Sequence, residues 1–149
     1  MALSANADWV TQEVQKVATK SMVVKSASVL YNGSLCSLDT TEGEVKPFDG
    51  TQTDRLVGWH FGDSVTGTAS GVRTLATICA GGFIVRNLTV AGVLLNTTAD
   101  YGANVYASDD GTYTVTDPGS GVVVGRIVAE DGNRASGTAH VYFHNLNQR

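Results

Sequence analysis

His140 and His144 stand four positions apart in Thr138-Ala139-His140-Val141-Tyr142-Phe143-His144, and they form the one histidine pair of the chain. In a strand that spacing places both rings on one face but ~13 Å apart, at roughly 3.3 Å per residue, too far to share a metal ion. They read as two polar residues on a terminal strand, and no metal site is expected. Asp109-Asp110 and Glu130-Asp131 are adjacent acids beside glycine, as turns require. A calcium loop would instead spread its oxygens over about a dozen residues. Phosphate chemistry lacks its parts: there is no G-x-x-x-x-G-K-[ST], only four lysines exist, and Lys46 is followed by proline. Gly119-Ser120-Gly121 leads into valines, so no helix N-terminus waits there for an anion. A G-x-S-x-G nucleophile elbow is also absent. With no nucleophile and base to pair, no catalytic residue and no cofactor is expected, and the chain is not read as an enzyme. Trp59, with Phe61 on the same face, is the remaining chemical feature. It reads as an aromatic platform for a ligand or, as is commoner for a Trp in an apolar strand, as core or subunit interface.

The elements that would hold these residues are strands. The chain has 149 residues, enough for one domain with a real core, and carries 20 valines, 17 threonines and 3 isoleucines against 10 leucines. Two substituents on Cβ restrict χ1 in a helix and pack well on a pleat, so this balance favours sheet. Seventeen glycines and two prolines fit many short strands joined by glycine-containing turns.

Residues 102–129, GANVYASDDGTYTVTDPGSGVVVGRIVA, show the pattern most fully. Val105-Tyr106-Ala107 opens a strand, and Ser108-Asp109-Asp110-Gly111 is a turn in which Gly can take positive φ. Thr112 to Thr116 alternates with period two, 117–121 breaks the chain, and Val122-Val123-Val124 is apolar on both faces, which implies burial on both sides. Upstream, Val29-Leu30-Tyr31, Asn32-Gly33 and Ser34 to Leu38 read as a hairpin, because Asn-Gly between two such runs suits a tight reversal. Arg55 to Phe61 is a further apolar strand, 62–71 a Gly, Ser and Thr linker, and 72–79 an alternating strand. Tyr31 to Gly58 and Tyr106 to Gly125 repeat the same order of parts at different spacing, a weak internal echo.

The expected fold is therefore all-β: a compact β-barrel or sandwich of about nine to twelve short strands. Residues 1–20 form an N-terminal arm or short helix, and 21–149 a single β-barrel domain with two weakly similar halves, about 22–62 and 72–144. In the first segment Asp8 can cap a helix in which Val10, Val14 and Val17 recur on one side with Trp9 beside them, although three valines suit an extended arm as well. Either form presents apolar groups that need something to dock on.

Charged residues are 16% of the chain, below the roughly 25% usual for soluble domains, which points to burial against neighbours. The net charge of −4 and the absence of a Lys and Arg cluster argue against nucleic-acid binding. No stretch has the length of a membrane span and residues 1–30 lack a signal-peptide core, so synthesis in a cytoplasm is expected. Cys36 and Cys79 then read as two buried thiols. Asn32-Gly33-Ser34, Asn87-Leu88-Thr89 and Asn96-Thr97-Thr98 match the glycosylation sequon by chance in a Thr-rich chain.

Gly102-Ala103-Asn104-Val105-Tyr106-Ala107-Ser108-Asp109-Asp110, its Thr-rich strand and Val123-Val124-Gly125-Arg126-Ile127 resemble the capsid cement, or head decoration, proteins of tailed bacteriophages. Val29 to Leu35 and Leu56-Val57-Gly58 resemble the first half of that family, so the likeness spans about 25–144. The resemblance implies a compact β-barrel, often a trimer, on the outer surface of the virion, made in the bacterial host cytoplasm. Its partners would be the major capsid protein and further copies of itself, with no nucleic acid and no membrane. The candidate partner contacts are Trp9, Val10, Val14 and Val17 in the arm, with Trp59 and Phe61. The alternative is a carbohydrate-binding or fibre-head module using Trp59 and Phe61.

Overall fold

The structure is a computed structural model, described for residues 2–6, 19–39, 43–69, 73–93, 100–119, 121–128 and 137–146. It is all-β. Twelve strands are seen among these residues: β1 (Thr19–Val23), β2 (Val29–Leu30), β3 (Leu35–Leu38), β4 (Val45–Pro47), β5 (Arg55–His60), β6 (Val65–Thr66), β7 (Leu75–Cys79), β8 (Phe83–Thr89), β9 (Asn104–Ala107), β10 (Tyr113–Thr114), β11 (Val123–Ile127) and β12 (Thr138–Phe143). The arm residues Trp9, Val10, Val14 and Val17 lie outside the described residues.

Pairing sorts the strands into two five-stranded sheets, β1-β7-β5-β3-β4 and β8-β12-β11-β9-β10, plus a β2-β6 ribbon. Every ladder is antiparallel. The two sheets have one topology: within each, the first strand pairs the last, the last pairs the fourth, the fourth pairs the second, and the second forms a hairpin with the third. Each sheet also closes in the same way. The chain just after the first strand makes a parallel bridge to the hairpin strand or its edge, Val24 to Val45 in one unit and Ala91 to Thr114 in the other. The result is two barrel-like units over residues 19–79 and 83–143, two spans of equal length.

The echo between Leu56-Val57-Gly58 and Val123-Val124-Gly125 has a backbone counterpart. Register on β3 passes from Gly58 to Leu56 and skips Val57; register on β9 passes from Val123 to Gly125 and skips Val124. An extra residue of this kind sharpens strand twist, which a small closed sheet needs. Both valines point into a core, and both are followed by a glycine where a side chain has no room. A Cβ at Gly58 would meet the Cys79 carbonyl and one at Gly125 the Tyr142 carbonyl, each on the next strand of its own sheet.

Three expectations are corrected. Asn32-Gly33 makes a turn, with Ser34 N–H donating to the Tyr31 carbonyl at 2.9 Å and Gly33 at φ 94°, yet it does not join a hairpin. β2 pairs with β6, and β3 with β4 and β5, because the turn is held instead by β5: Gly33 N–H donates to the His60 carbonyl and His60 N–H to Ser34. The linker between halves expected at 62–71 is not seen over its described part, 62–69, since β6 lies there and β7 completes the first sheet. The crossing falls at Ala80-Gly81-Gly82, where a Cβ on Gly81 would strike the His144 carbonyl. Gly111 is not among the positive-φ glycines; it is small because Leu3 packs where its Cβ would stand.

The interior has two parts. Val24, Leu30, Cys36, Val45, Val57, Ala76 and Ile78 fill the first unit. A larger cluster contains the second unit's Val85, Leu88, Val105, Val124, Ile127, Val141 and Phe143 together with Leu35, Phe48, Leu56, Trp59 and Cys79 of the first, so the outer face of one unit is buried against the other. At roughly 25 cal/mol per Å² of apolar surface, this shared core is what makes the two units one body.

Candidate functional site

Trp59 and Phe61 are brought together, but in the seam between the units. Trp59 is 0% exposed. Its indole N–H donates to the Tyr113 hydroxyl at 3.0 Å, and its ring lies 4.4 Å from Phe143 and 5.4 Å edge-on from Phe83, centroid to centroid. Phe61, half-buried, reaches Phe83 at 5.5 Å. A sugar-binding platform needs an open ring face, so the ligand reading of Trp59 is corrected: this is a core residue holding one unit to the other. Burial pushes the Tyr113 hydroxyl far up, above its ordinary range, and leaves it a neutral acceptor for the indole.

The residues at the junction that a sequence reading passed over are polar. Asp110 is 2% exposed, on the turn between β9 and β10. Its Oδ2 accepts from the Ser34 hydroxyl at 3.0 Å, its Oδ1 from the Leu3 N–H at 3.0 Å, and its backbone carbonyl from Leu35 N–H at 2.9 Å. One side chain thus ties the second unit to the first and to residues 2–6. The strap is fixed again where Asn6 Oδ1 accepts from Asn32 N–H at 2.9 Å. Burial raises the Asp110 carboxyl above the usual carboxylate range, and the nearby Asp109 charge adds to that. For Asp109, burial acts the same way but is outweighed by hydrogen bonds from Gly111 N–H at 2.9 Å and from Thr112, so its carboxyl is lowered. Two adjacent acids therefore have opposite tasks, a turn cap and a buried tie. Both were legible as turn residues; nothing in the dipeptide distinguishes the one that points inward.

The loop at 49–54 is locked by charge. Lys46 Nζ lies 3.2 Å from Asp49 and 3.0 Å from Asp54, whose carboxylate also accepts from Ser37 Oγ at 3.2 Å. The Asp54 bond raises Lys46, while hydrogen bonds from Thr51 lower Asp49. Beside it, Asp117 Oδ1 accepts from the N–H groups of Gly119 and Gly121 at 2.8 and 2.9 Å. Gly50 abuts Ser108, and Gly121 lies by Gln52 and Asp117. The loops at 49–54, 108–112 and 117–121 so form one acid-bearing end of the molecule.

The histidines are structural. His140 Nδ1 accepts from Asn87 N–H at 3.1 Å, and His144 lies 6.0 Å from the Tyr142 ring. His60, 2% exposed, faces the carbonyls of Thr77 and Asp63 and pins the turn after β5. Among the described residues no three His, Cys, Asp or Glu are grouped as metal ligands. Cys36 and Cys79 are free, buried thiols, both raised by burial, and Cys36 further by the Asp110 charge. Compared with protein-family models, curated proteins and solved structures, the chain matches none.

Proposed function

We propose that the protein is a non-enzymatic capsid cement protein that sits on the outer surface of a tailed-phage head and bridges neighbouring major capsid proteins. The observation that carries this reading is where the family-like segments fall. Leu56-Val57-Gly58 and Val123-Val124-Gly125 occupy equivalent bulged strands of two equivalent units, whereas Tyr31 and Tyr106 are not equivalent: Tyr106 lies in β9, the counterpart of β3, and Tyr31 follows β2 of the separate ribbon. The resemblance is thus carried by the framework of the fold rather than by scattered surface residues. Two units joined through a buried aromatic seam make a stiff body, as a clamp across subunits requires. Each contact with the shell can be modest, since copies that engage several subunits gain through effective concentration.

The N-terminal segment is the proposed tether. Residues 2–6 are anchored on the body by Asp110 and Asn32, and the chain between this anchor and β1 carries Trp9, Val10, Val14 and Val17. In the glycan-binding alternative the Trp59 platform is lost to the core, and no other observation favours it. The test is osmotic shock of phage heads stripped of the protein and then replenished. Added protein is expected to raise the fraction of heads that retain DNA, and a variant lacking residues 1–18 to do so at higher concentration only. Unchanged survival would refute the cement role.

A further inference from the structure

The cross-strand registers of the two units match position with position: Gly58 falls on Gly125, Trp59 on Arg126 and Cys79 on Tyr142. By the same rule the residues around one end of each barrel correspond. Lys20, opposite Ile78, falls on Val85, opposite Val141, and Met22, opposite Ala76, on Leu88, opposite Ala139. Leu38 and Arg55 fall on Ala107 and Val122, and the extra residue Val57 falls on Val124. In the second unit all five are apolar and buried in the shared core, so that end is stopped. In the first unit only Val57 is buried. Met22 and Leu38 are half-buried against the core, Lys20 and Arg55 are exposed, and the end stands open as a cavity of about 540 Å³.

The cavity carries charge as well as space. Lys25 and Lys46 are paired, the first with Asp39 and the second with Asp49 and Asp54, whereas Lys20 and Arg55 make no ion pair among the described residues. Asp54, the acid on the cavity wall, is already engaged by Lys46 at 3.0 Å and by Ser37 Oγ at 3.2 Å. A chain of net charge −4 therefore sets two uncompensated cations at the lip of an apolar floor. We propose that this cavity binds an anionic amphiphile, its carboxylate or phosphate head held by Lys20 and Arg55 and its alkyl chain laid over Met22, Leu38 and Val57. The Arg guanidinium is a fork that fits either head, and Lys adds a point charge. The volume is that of a small-molecule site, in which a few convergent polar groups orient a ligand on an apolar wall. The second unit, with valine in place of both cations, offers neither charge. The inference is independent of the capsid role and needs no shell.

Isothermal titration calorimetry of the full chain with decanoate, decyl phosphate, decyl maltoside and inorganic phosphate tests it, the amphiphiles being kept below their micelle concentrations. Saturable one-site binding of decanoate and decyl phosphate is expected, with decyl maltoside weaker by about tenfold or more because it lacks the charge. The tighter of the two anions identifies the head, and either result bears the proposal out. Lys20→Ala and Arg55→Ala should each weaken binding by about tenfold, with near-ultraviolet circular dichroism unchanged because both side chains are exposed. In protein labelled with methyl-carbon-13 methionine, the Met22 resonance should shift along the same binding curve. Absence of binding by both anions overturns the proposal. Equal affinity for decyl maltoside, or in the two variants, overturns it as well, since adsorption would then ignore the cations. Inorganic phosphate that binds as tightly as decyl phosphate removes the role of the apolar floor, and a Met22 resonance that stays in place while decanoate binds puts the site elsewhere; each overturns it.

Discussion

Replacing Asp110 tests how the two units and the N-terminal strap are held together. In Asp110→Ala the Ser34 hydroxyl, 0% exposed, loses its acceptor, and so does the half-buried Leu3 N–H. An unsatisfied buried donor costs about 1–3 kcal/mol, and Leu3, nearer water, falls at the low end, so the sum is roughly 3 kcal/mol. Relief of the buried charge offsets part of this. For a chain of this size about 1 kcal/mol moves Tm by roughly 2–4 °C, so a drop of ~6–12 °C is expected in thermal melts. Asp110→Asn keeps an acceptor oxygen and should cost about 1 kcal/mol at neutral pH. The pH dependence carries a sign. Burial raises the folded-state pKa of Asp110 above that of the unfolded chain, so its contribution to stability is fully present below the unfolded value and is lost as pH rises through the folded value. The stability of the wild type relative to Asp110→Asn should therefore increase as pH falls from 7 toward the ordinary carboxylate range. A difference that is flat, or that shrinks on acidification, would refute the assignment of Asp110 as a buried tie dominated by desolvation.

Trp59→Ala is expected to lower stability by about 3–5 kcal/mol in denaturant titration, while Trp59→Phe costs less and isolates the Tyr113 hydrogen bond. If Trp59→Ala were near neutral, the seam would not be the joint between the units. Gly58→Ala, at φ 142° and against the Cys79 carbonyl, should cost about 2 kcal/mol or more by the same assay. Gly125→Ala should cost a comparable amount through its contact with Tyr142, and a neutral result at either position would break the equivalence of the two bulges. Cys36 and Cys79 should stay unreactive toward a thiol reagent until the protein is denatured; prompt labelling of both in buffer would contradict their burial.

Strand positions were largely legible because β-branched residues alternate with turn residues along most of the chain. The described residues between 102 and 128 form the three strands that their pattern predicts, β9, β10 and β11, with a turn at 108–111 between the first two. What the pattern hides is which strand pairs with which. Asn32-Gly33 satisfies every local condition of a hairpin, and the long-range bonds of Gly33 and Ser34 to His60 decide otherwise. Val65-Thr66 is too short to stand out in a Gly and Thr-rich stretch, and only its pairing with β2 makes it a strand. The repeat was faint for a related reason. Equivalent bulges need only a glycine and a preceding valine to agree, while facing residues such as Trp59 and Arg126 diverge because one meets a partner unit and the other water. Trp59 itself shows the limit for sites: its residue type fits a ligand platform and a core equally, and only the position of the second unit separates them.

The most direct test of the proposed cement role is co-sedimentation of the full chain with mature, DNA-filled heads of the tailed phage that the proposal implies as its source. The protein is expected to pellet with the heads, to saturate at a fixed copy number set by the shell's symmetry, and to remain behind when heads are omitted. Protein that stays in the supernatant at saturating head concentration, or binding that never saturates, would contradict it.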